Sequence, residues 1–274
     1  MDKLAQAQSS HWLGSVGRLF GCNTAPKLKN EFSSTTIRPK IMPLRQADLA
    51  DIHHGAHIMA TAFQDGPILG QYLHPYREQH PDGMYLYFLR KLRLAYARGS
   101  PDDILLVTYD VNSSGKENQI TGFAHWHRKR EKELPRSVYS TAIVQATEAY
   151  NYLSSLIWPN LAIEPSRAGL FQQIDPFISH HWTGSRAEVW MLELIAVDPT
   201  TGKKGNGRQM LEWGMQRAKE DGLACSLIAG KGAVGFYRHC GFNVEVGTLT
   251  DEGGDDNPMR KAGVEGGTIM FYEP

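Results

Sequence analysis

Two kinds of chemistry are written into residues 189–211. The run Val189-Trp-Met-Leu-Glu-Leu-Ile-Ala-Val197 is apolar except for Glu193; Asp198-Pro199 stops it, a loop carrying Lys203, Lys204, Gly205, Asn206 and Gly207 follows, and Arg208 leads into a helical pattern. A strand, a glycine-rich turn and a helix N-terminus make an anion site, because the first N–H groups of a helix have no partner within it and its dipole favours negative charge there. The pattern predicts a phosphorylated ligand just past Pro199. Glu193 is the other kind. A carboxylate inside so apolar a strand is costly unless it is paired, with Arg208 or Arg238 as the obvious partners, or functional. His125 and His127 are rival proton carriers, with an ordinary imidazole pKa near 6.5. His53 and His57 share a helix face, but no acidic third ligand stands between them and there is no His-Glu-x-x-His; His180-His181 offers less still, so no metal is expected.

The elements that must position these groups follow from periodicity. Val189–Val197 reads as a buried strand, and Met210, Leu211, Gly214 and Ala218 mark the inner face of a helix ending at Gly222. Ala224–Ala229 is a second short strand. Upstream, Thr36–Leu44 suits an edge strand because of its prolines. A helix is expected after Asp48, with Leu49, Ile52, Ala56, Met59 and Phe63 inward, broken at Phe63-Gln-Asp-Gly-Pro67. Another covers Met84–Arg98, with Leu86, Leu89, Leu92 or else Leu94, and Tyr96 on its apolar side. Ile104–Tyr109 and Gln119–Arg128 read as paired strands around the turn Asn112-Ser-Ser-Gly115. On the second of these Phe123, His125 and His127 share one face, and Ala124, Trp126 and Arg128 the other. The mixed charges of Arg128–Glu133 suit a solvated loop. Residues 134–186 are helical in pattern over Val138–Leu156 and Leu170–Trp182. After Phe242–Gly247 comes a Gly/Asp-rich loop, Asp251–Asn257, and Gly267–Tyr272 closes the sheet. No internal repeat is present.

Which phosphate loop this is can be narrowed. There is no Gly-x4-Gly-Lys-Ser/Thr, hence no hydroxyl to hold magnesium. A dinucleotide fingerprint fails as well, since Met210 stands where its third glycine belongs and its strand would open the domain. Leu194-Ile-Ala-Val-Asp-Pro199 followed by Lys203-Lys-Gly-Asn-Gly-Arg208 instead resembles the signature of the GNAT superfamily of acyl-CoA-dependent N-acyltransferases, with Gly202 where Gln or Arg is usual. A second stretch, Gly232-Ala-Val-Gly-Phe-Tyr-Arg-His-Cys-Gly-Phe242, resembles the superfamily's helix ending Tyr-x-x-x-Gly-Phe at Tyr237, Gly241 and Phe242; Gly230 and Lys231 replace its usual Asn or Ser. The two motifs in order cover residues 189–245.

The resemblance implies a mixed α/β sheet flanked by helices, the GNAT fold, with residues 134–186 as a helical lobe inserted before the central strand. The lobe would narrow the acceptor pocket through Trp158, Phe171, Phe177 or Trp182, with a structural or homodimer-forming lobe as the alternative. It implies acetyl-CoA as co-substrate. Backbone of Ile195, Ala196 and Val197 would pair with the pantetheine arm, and amides of Lys203, Lys204, Gly205, Asn206, Gly207 and Arg208 would hold the pyrophosphate. N–H groups near Leu194–Ala196 would stabilise the oxyanion. Tyr237 would be the acid, since a phenol (pKa near 10) keeps at neutral pH the proton that a leaving thiolate (thiol pKa near 8.5) needs. Glu193 would be the base, with His125 and His127 as rivals. The expected activity is transfer of acetyl from acetyl-CoA to a primary amine of a small molecule, such as a toxin, antibiotic or metabolite, by direct attack in a ternary complex. The alternatives are a peptide or protein N-acetyltransferase and a non-catalytic acyl-CoA-binding sensor.

Composition bounds the rest. The chain has 274 residues, 41% hydrophobic and 21% charged, with Lys+Arg and Asp+Glu balanced at 29 each. That balance, without a basic stripe, argues against a nucleic-acid partner. No apolar run approaches the roughly 20 residues that span a bilayer. Cys22, Cys225 and Cys240 form no disulfide framework, which points to a reducing, cytoplasmic setting. Residues 1–36 are Ser/Gln/Asn-rich and are read as an extension or flap ahead of a domain covering 37–274; Asp2 and a single arginine, Arg18, argue against a mitochondrial presequence.

Overall fold

The computed structural model describes residues 43–99, 101–112, 114, 116–132, 134–201 and 204–274. The N-terminal extension, most of the expected Thr36–Leu44 strand, Cys22, Gly202 and Lys203 lie outside the described residues. In chain order the strands are β1 (Leu44–Gln46), β2 (Asp103–Val111), β3 (Glu117–Lys129), β4 (Val189–Val197), β5 (Ala224–Ala229), β6 (Val244–Thr248) and β7 (Thr268–Tyr272). The helices are α1 (Asp51–Phe63), α2 (Asp82–Arg98), α3 (Val138–Ile157), α4 (Leu170–Ile178), α5 (Asn206–Asp221), α6 (Val234–His239) and α7 (Pro258–Lys261). The sheet order is β1-β2-β3-β4-β5-β7-β6, parallel between β4 and β5 and antiparallel elsewhere. The last strand thus does not close the sheet but inserts between β5 and β6, leaving β6 on the edge.

Alternation on the strands divides the core. Leu105, Val107, Phe123, Leu194 and Ala196 face α1 and α2, packing on Ile52, Met59, Phe63, Phe88 and Leu92. Leu106, Ala124, Trp126, Trp190, Leu192 and Ile195 face α5 and α6, meeting Met210, Leu211, Ala218 and Tyr237. A third cluster sits on the β5-β7-β6 side, where Leu170, Ile174 and Ile178 of α4 and the nearby Trp182 cover Ile228, Ile269 and Phe271. The helical lobe therefore contributes core through α4, while α3 buries only Val144, Asn151 and Ser154.

Two details depart from the expected helix faces. Leu49 is exposed because α1 begins two residues later. In α2 the buried stripe is Met84, Phe88, Leu89, Leu92 and Ala95, whereas Tyr96 is exposed and Leu86 and Leu94 are half-buried. The break after Phe63 continues into a π-helical turn, Pro67–Leu73, whose Leu69 and Leu73 join the α1/α2 cluster while Ile68 and Tyr72 pack on the α4 cluster.

Helix α5 crosses the sheet closely because residue 214 has no side chain. A Cβ there would collide with the Trp126 ring, which cannot slide away because its Nε1–H donates to Met210 O at 3.1 Å. Gly214→Ala is expected to lose about 1–3 kcal/mol through overpacking, despite alanine's better helix propensity. A thermal melt in which the variant matches or exceeds the native Tm would refute this packing account.

Candidate active site

The central strand is irregular around Glu193. Opposite β3, His125 pairs with Leu194 and Trp126 with Leu192, so Glu193 is the extra residue of a β-bulge. On its other side, β4 pairs with β5 only from Val189–Ala224 to Leu192–Leu227. Both strands run on, β4 to Val197 and β5 to Ala229, but their ladder has ended. Main-chain groups of β4 from Glu193 to Val197 thus face an opening between two diverging strands. These include Ile195, Ala196 and Val197, the residues expected to bind a coenzyme arm.

At the end of that opening α5 begins. Gly205 adopts the left-handed conformation (φ 86°), and the first helical hydrogen bond runs from Gln209 N–H to Gly205 O at 3.0 Å. The amides of Asn206, Gly207 and Arg208 therefore precede the helical ladder, as a diphosphate cradle requires. Asn206 is 1% exposed, yet its side-chain O and N both lack a hydrogen-bond partner. A buried amide so placed suits a polar ligand group, because unpaired burial is costly. The Lys204 and Arg208 side chains are engaged elsewhere, Lys204 with Asp110 at 2.8 Å and Arg208 with Glu212 at 2.7 Å.

Glu193 is buried at 3% exposure. It does not pair with Arg208 or Arg238; the latter bonds Glu245 instead. Its partner is Lys91 of α2, Nζ to Oε2 at 3.8 Å, while Oε1 is buried without a hydrogen bond. Across the strand, Asp103 at the start of β2 is also buried and takes both histidines: His125 Nε2 lies 2.8 Å and His127 Nδ1 3.3 Å from its Oδ1. Burial pushes the Asp103 carboxyl up, but the hydrogen bonds and charges of His125 and His127 outweigh it and hold the group well below the usual carboxylate range. Burial pushes His127 down, and the bond and charge of Asp103, helped by Glu193, reverse the sign and raise it. Lys91 and Arg98 are both lowered, by burial first. Tyr87 is raised by burial and by the charge of Glu193.

The sign of this coupling is testable. A raised histidine pKa stabilises the fold below the unfolded value near 6.5, and that stability is lost as pH rises through the folded value. Asp103→Asn removes the charge that raises His127, so burial dominates and the His127 titration observed by NMR moves to lower pH. An unmoved titration would contradict the assignment.

Sequence reasoning thus found Glu193, His125 and His127 but missed Tyr87, Lys91, Arg98 and Asp103. One signal was available: Tyr87, Lys91 and Arg98 recur at helical spacing on α2, a polar line beside an apolar stripe. Of the expected lobe aromatics, Phe171 is half-buried between the α1/α2 and α4 clusters, and Trp182 is buried with Nε1–H donating to Ser226 Oγ at 2.8 Å. Phe177 is half-buried in the α4 cluster. Trp158 is 60% exposed and lines no interior wall. His53 and His57 are not paired as ligands: His53 Nδ1 meets Tyr85 OH at 2.7 Å, and His57 stacks on that ring at 4.1 Å. Tyr237 is 1% exposed, in the cluster on the α5/α6 face, with Phe236 and Phe242 edge-on to its ring. Glu193 and Tyr237 therefore lie on opposite faces of the sheet, with the open β4/β5 ladder as the passage between them.

Residues 168–242 match the family model described as the acetyltransferase (GNAT) family. This stretch, which holds β4, the glycine turn, α5, β5 and α6, is GNAT acetyltransferase sequence on the GNAT fold. Over that stretch the match is to a family of acyltransferases. Among solved structures the chain is similar to a histone acetyltransferase HPA2 and related acetyltransferase from Corynebacterium glutamicum, with 18% identity over 85% of this chain and 96% of that one and a TM-score of 0.49. It is also similar to a GNAT family acetyltransferase from Brucella melitensis in complex with acetyl-CoA, with 15% identity over 74% and 83% and a TM-score of 0.37. A third is an agmatine N-acetyltransferase, at 12% identity over 84% and 97% and a TM-score of 0.49. A comparison with curated proteins returns no match. Among the described residues no helix is long and apolar enough to cross a membrane.

Proposed function

We propose that the protein transfers acetyl from acetyl-CoA to a primary amine of a small molecule by direct attack in a ternary complex. The observation carrying this reading is the end of the β4–β5 ladder at Leu192–Leu227, with a buried carboxylate on one side of the gap and a buried phenol on the other. The α5 amides and Asn206 hold the diphosphate, and main-chain groups of Ile195–Val197 align the pantetheine arm in the gap. N–H groups near Leu194–Ala196 stabilise the oxyanion, a contribution of about 2.7–4 kcal/mol per donor at such sites.

The amine enters on the α1/α2 face, between the Pro67–Leu73 turn and α4. Glu193 takes a proton from the ammonium, directly or through water, with Lys91 and the Asp103–His127 pair fixing the local charge. The neutral nitrogen then attacks the thioester carbonyl to form the C–N bond; as the C–S bond breaks, Tyr237 protonates the departing thiolate, and the second proton shed by the nitrogen as the amide forms restores the phenol. His125, held by Asp103, is the alternative base. The balanced charge of the chain and the aromatic groups Tyr72, Tyr87 and Phe171 around this face favour a small amine over a basic polypeptide tail.

The test is a panel of small amines and short peptides with acetyl-CoA, read by thiol release and product mass. Turnover of small amines supports the reading. Turnover confined to peptides, or coenzyme binding by calorimetry without turnover on any amine, overturns it.

A further inference from the structure

His180 and His181 sit on the short 3-10 turn Ser179–Trp182 that continues α4, facing the loop after β6. His180 Nε2 lies 3.2 Å from Glu252 Oε1, and the imidazole rings of His180 and His181 are 4.0 Å apart. One ligand atom from each of His180, His181 and Glu252 falls within 4.8 Å of the others, and this is the only such trio among the described residues. His180 and Glu252 are each about half exposed, so an ion from solvent can reach them.

Both banks of the cluster are held from behind. Trp182, next in the chain, is buried and anchored to Ser226. In the facing loop, the buried Asn257 donates from Nδ2 to Leu249 O at 2.8 Å and to Glu252 O at 3.0 Å. Asp251 accepts from Thr248 N–H at 2.6 Å and Thr248 Oγ1 at 2.8 Å. Between the banks, residue 247 is glycine; a Cβ there would lie 3.2 Å from Asp251 Oδ2 and 3.4 Å from His181 Nε2, closing the space those atoms border. A simple ion pair would use one imidazole. Here a second ring stands beside it, with its Nε2 bordering the same space.

We propose that His180, His181 and Glu252 form a binding site for a divalent transition-metal ion of the zinc class, tying the inserted lobe to the β6–β7 side of the sheet. Two imidazoles and a carboxylate are borderline donors that suit zinc, and three protein ligands leave one position for water. The sequence alone argued for no metal, because Glu252 lies far from the histidine pair in the chain and β6 and α4 meet only in the fold.

The test uses the full chain without an affinity tag, stripped with EDTA and titrated with zinc chloride by calorimetry, then loaded with Co2+ for visible absorption. The expected result is one equivalent of zinc, Co2+ bands in the visible range, and affinity at least about tenfold weaker in His181→Ala and in Glu252→Gln. His180→Ala, at a half-exposed position, must show the same loss while the metal-free variant melts like the metal-free native chain. No uptake by the native chain, or unchanged affinity in these variants, overturns the proposal.

Discussion

Tyr237→Phe should lower kcat by about 100-fold or more while leaving KM for acetyl-CoA nearly unchanged, because a positioned general acid contributes about 10²–10⁴-fold and the ring itself stays in place. The phenol is buried on the α5/α6 face, enclosed by Phe236 and Phe242, where bulk water is a poor substitute donor. The substitution keeps the ring volume, so near-UV circular dichroism and Tm should change little. Steady-state rates with a saturating amine give the answer. An unchanged kcat would remove Tyr237 from the reaction, and a rise in KM alone would make it a binding residue.

Glu193→Gln is the second large effect. The rate at neutral pH should fall by about 100-fold, the contribution expected of a general base. The deficit should shrink as pH rises, since each unit closer to the amine's own pKa supplies about ten times more neutral nucleophile without the enzyme's help. A stability cost comes with it. Lys91 Nζ, 3.8 Å from Glu193, loses its counter-charge; its side chain keeps 22% exposure, so the loss is below the about 3–5 kcal/mol of a fully buried pair. Lys91→Met combined with Glu193→Gln separates the two roles: stability should recover and the rate should not. If the double variant recovered its rate, Glu193 would matter through its ion pair alone. A deficit equal at every pH would also count against a base.

Much of the proposed site was legible because the chemistry proposed for it rests on local backbone. The cradle past Pro199 needs only a strand, a residue in the left-handed conformation at Gly205 and a helix start, all contiguous in the chain. The inner face of α5, at Met210, Leu211, Gly214 and Ala218, could be read from spacing, and all four are buried. Glu193 stood out because its neighbours are apolar. Its partner did not, since Lys91 is more than a hundred residues away and looks like any helix lysine. Asp103 was equally silent: nothing in Pro-Asp-Asp-Ile shows that the second aspartate is buried beneath two histidines from the next strand.

The amino-acid order by itself therefore determined most of the secondary elements and the acyltransferase family of residues 168–242, and it pointed to the turn past Pro199 as the proposed anion cradle, because short-range periodicity and turn chemistry are encoded within a few residues. Only the tertiary structure decided which groups stand around Glu193. The bulge at Glu193, the ladder that stops at Leu192–Leu227, the Lys91 pairing and the Asp103–His125–His127 contacts each depend on strand register and on which helix covers which face. Those depend on packing between segments far apart in the chain, and no local pattern carries them.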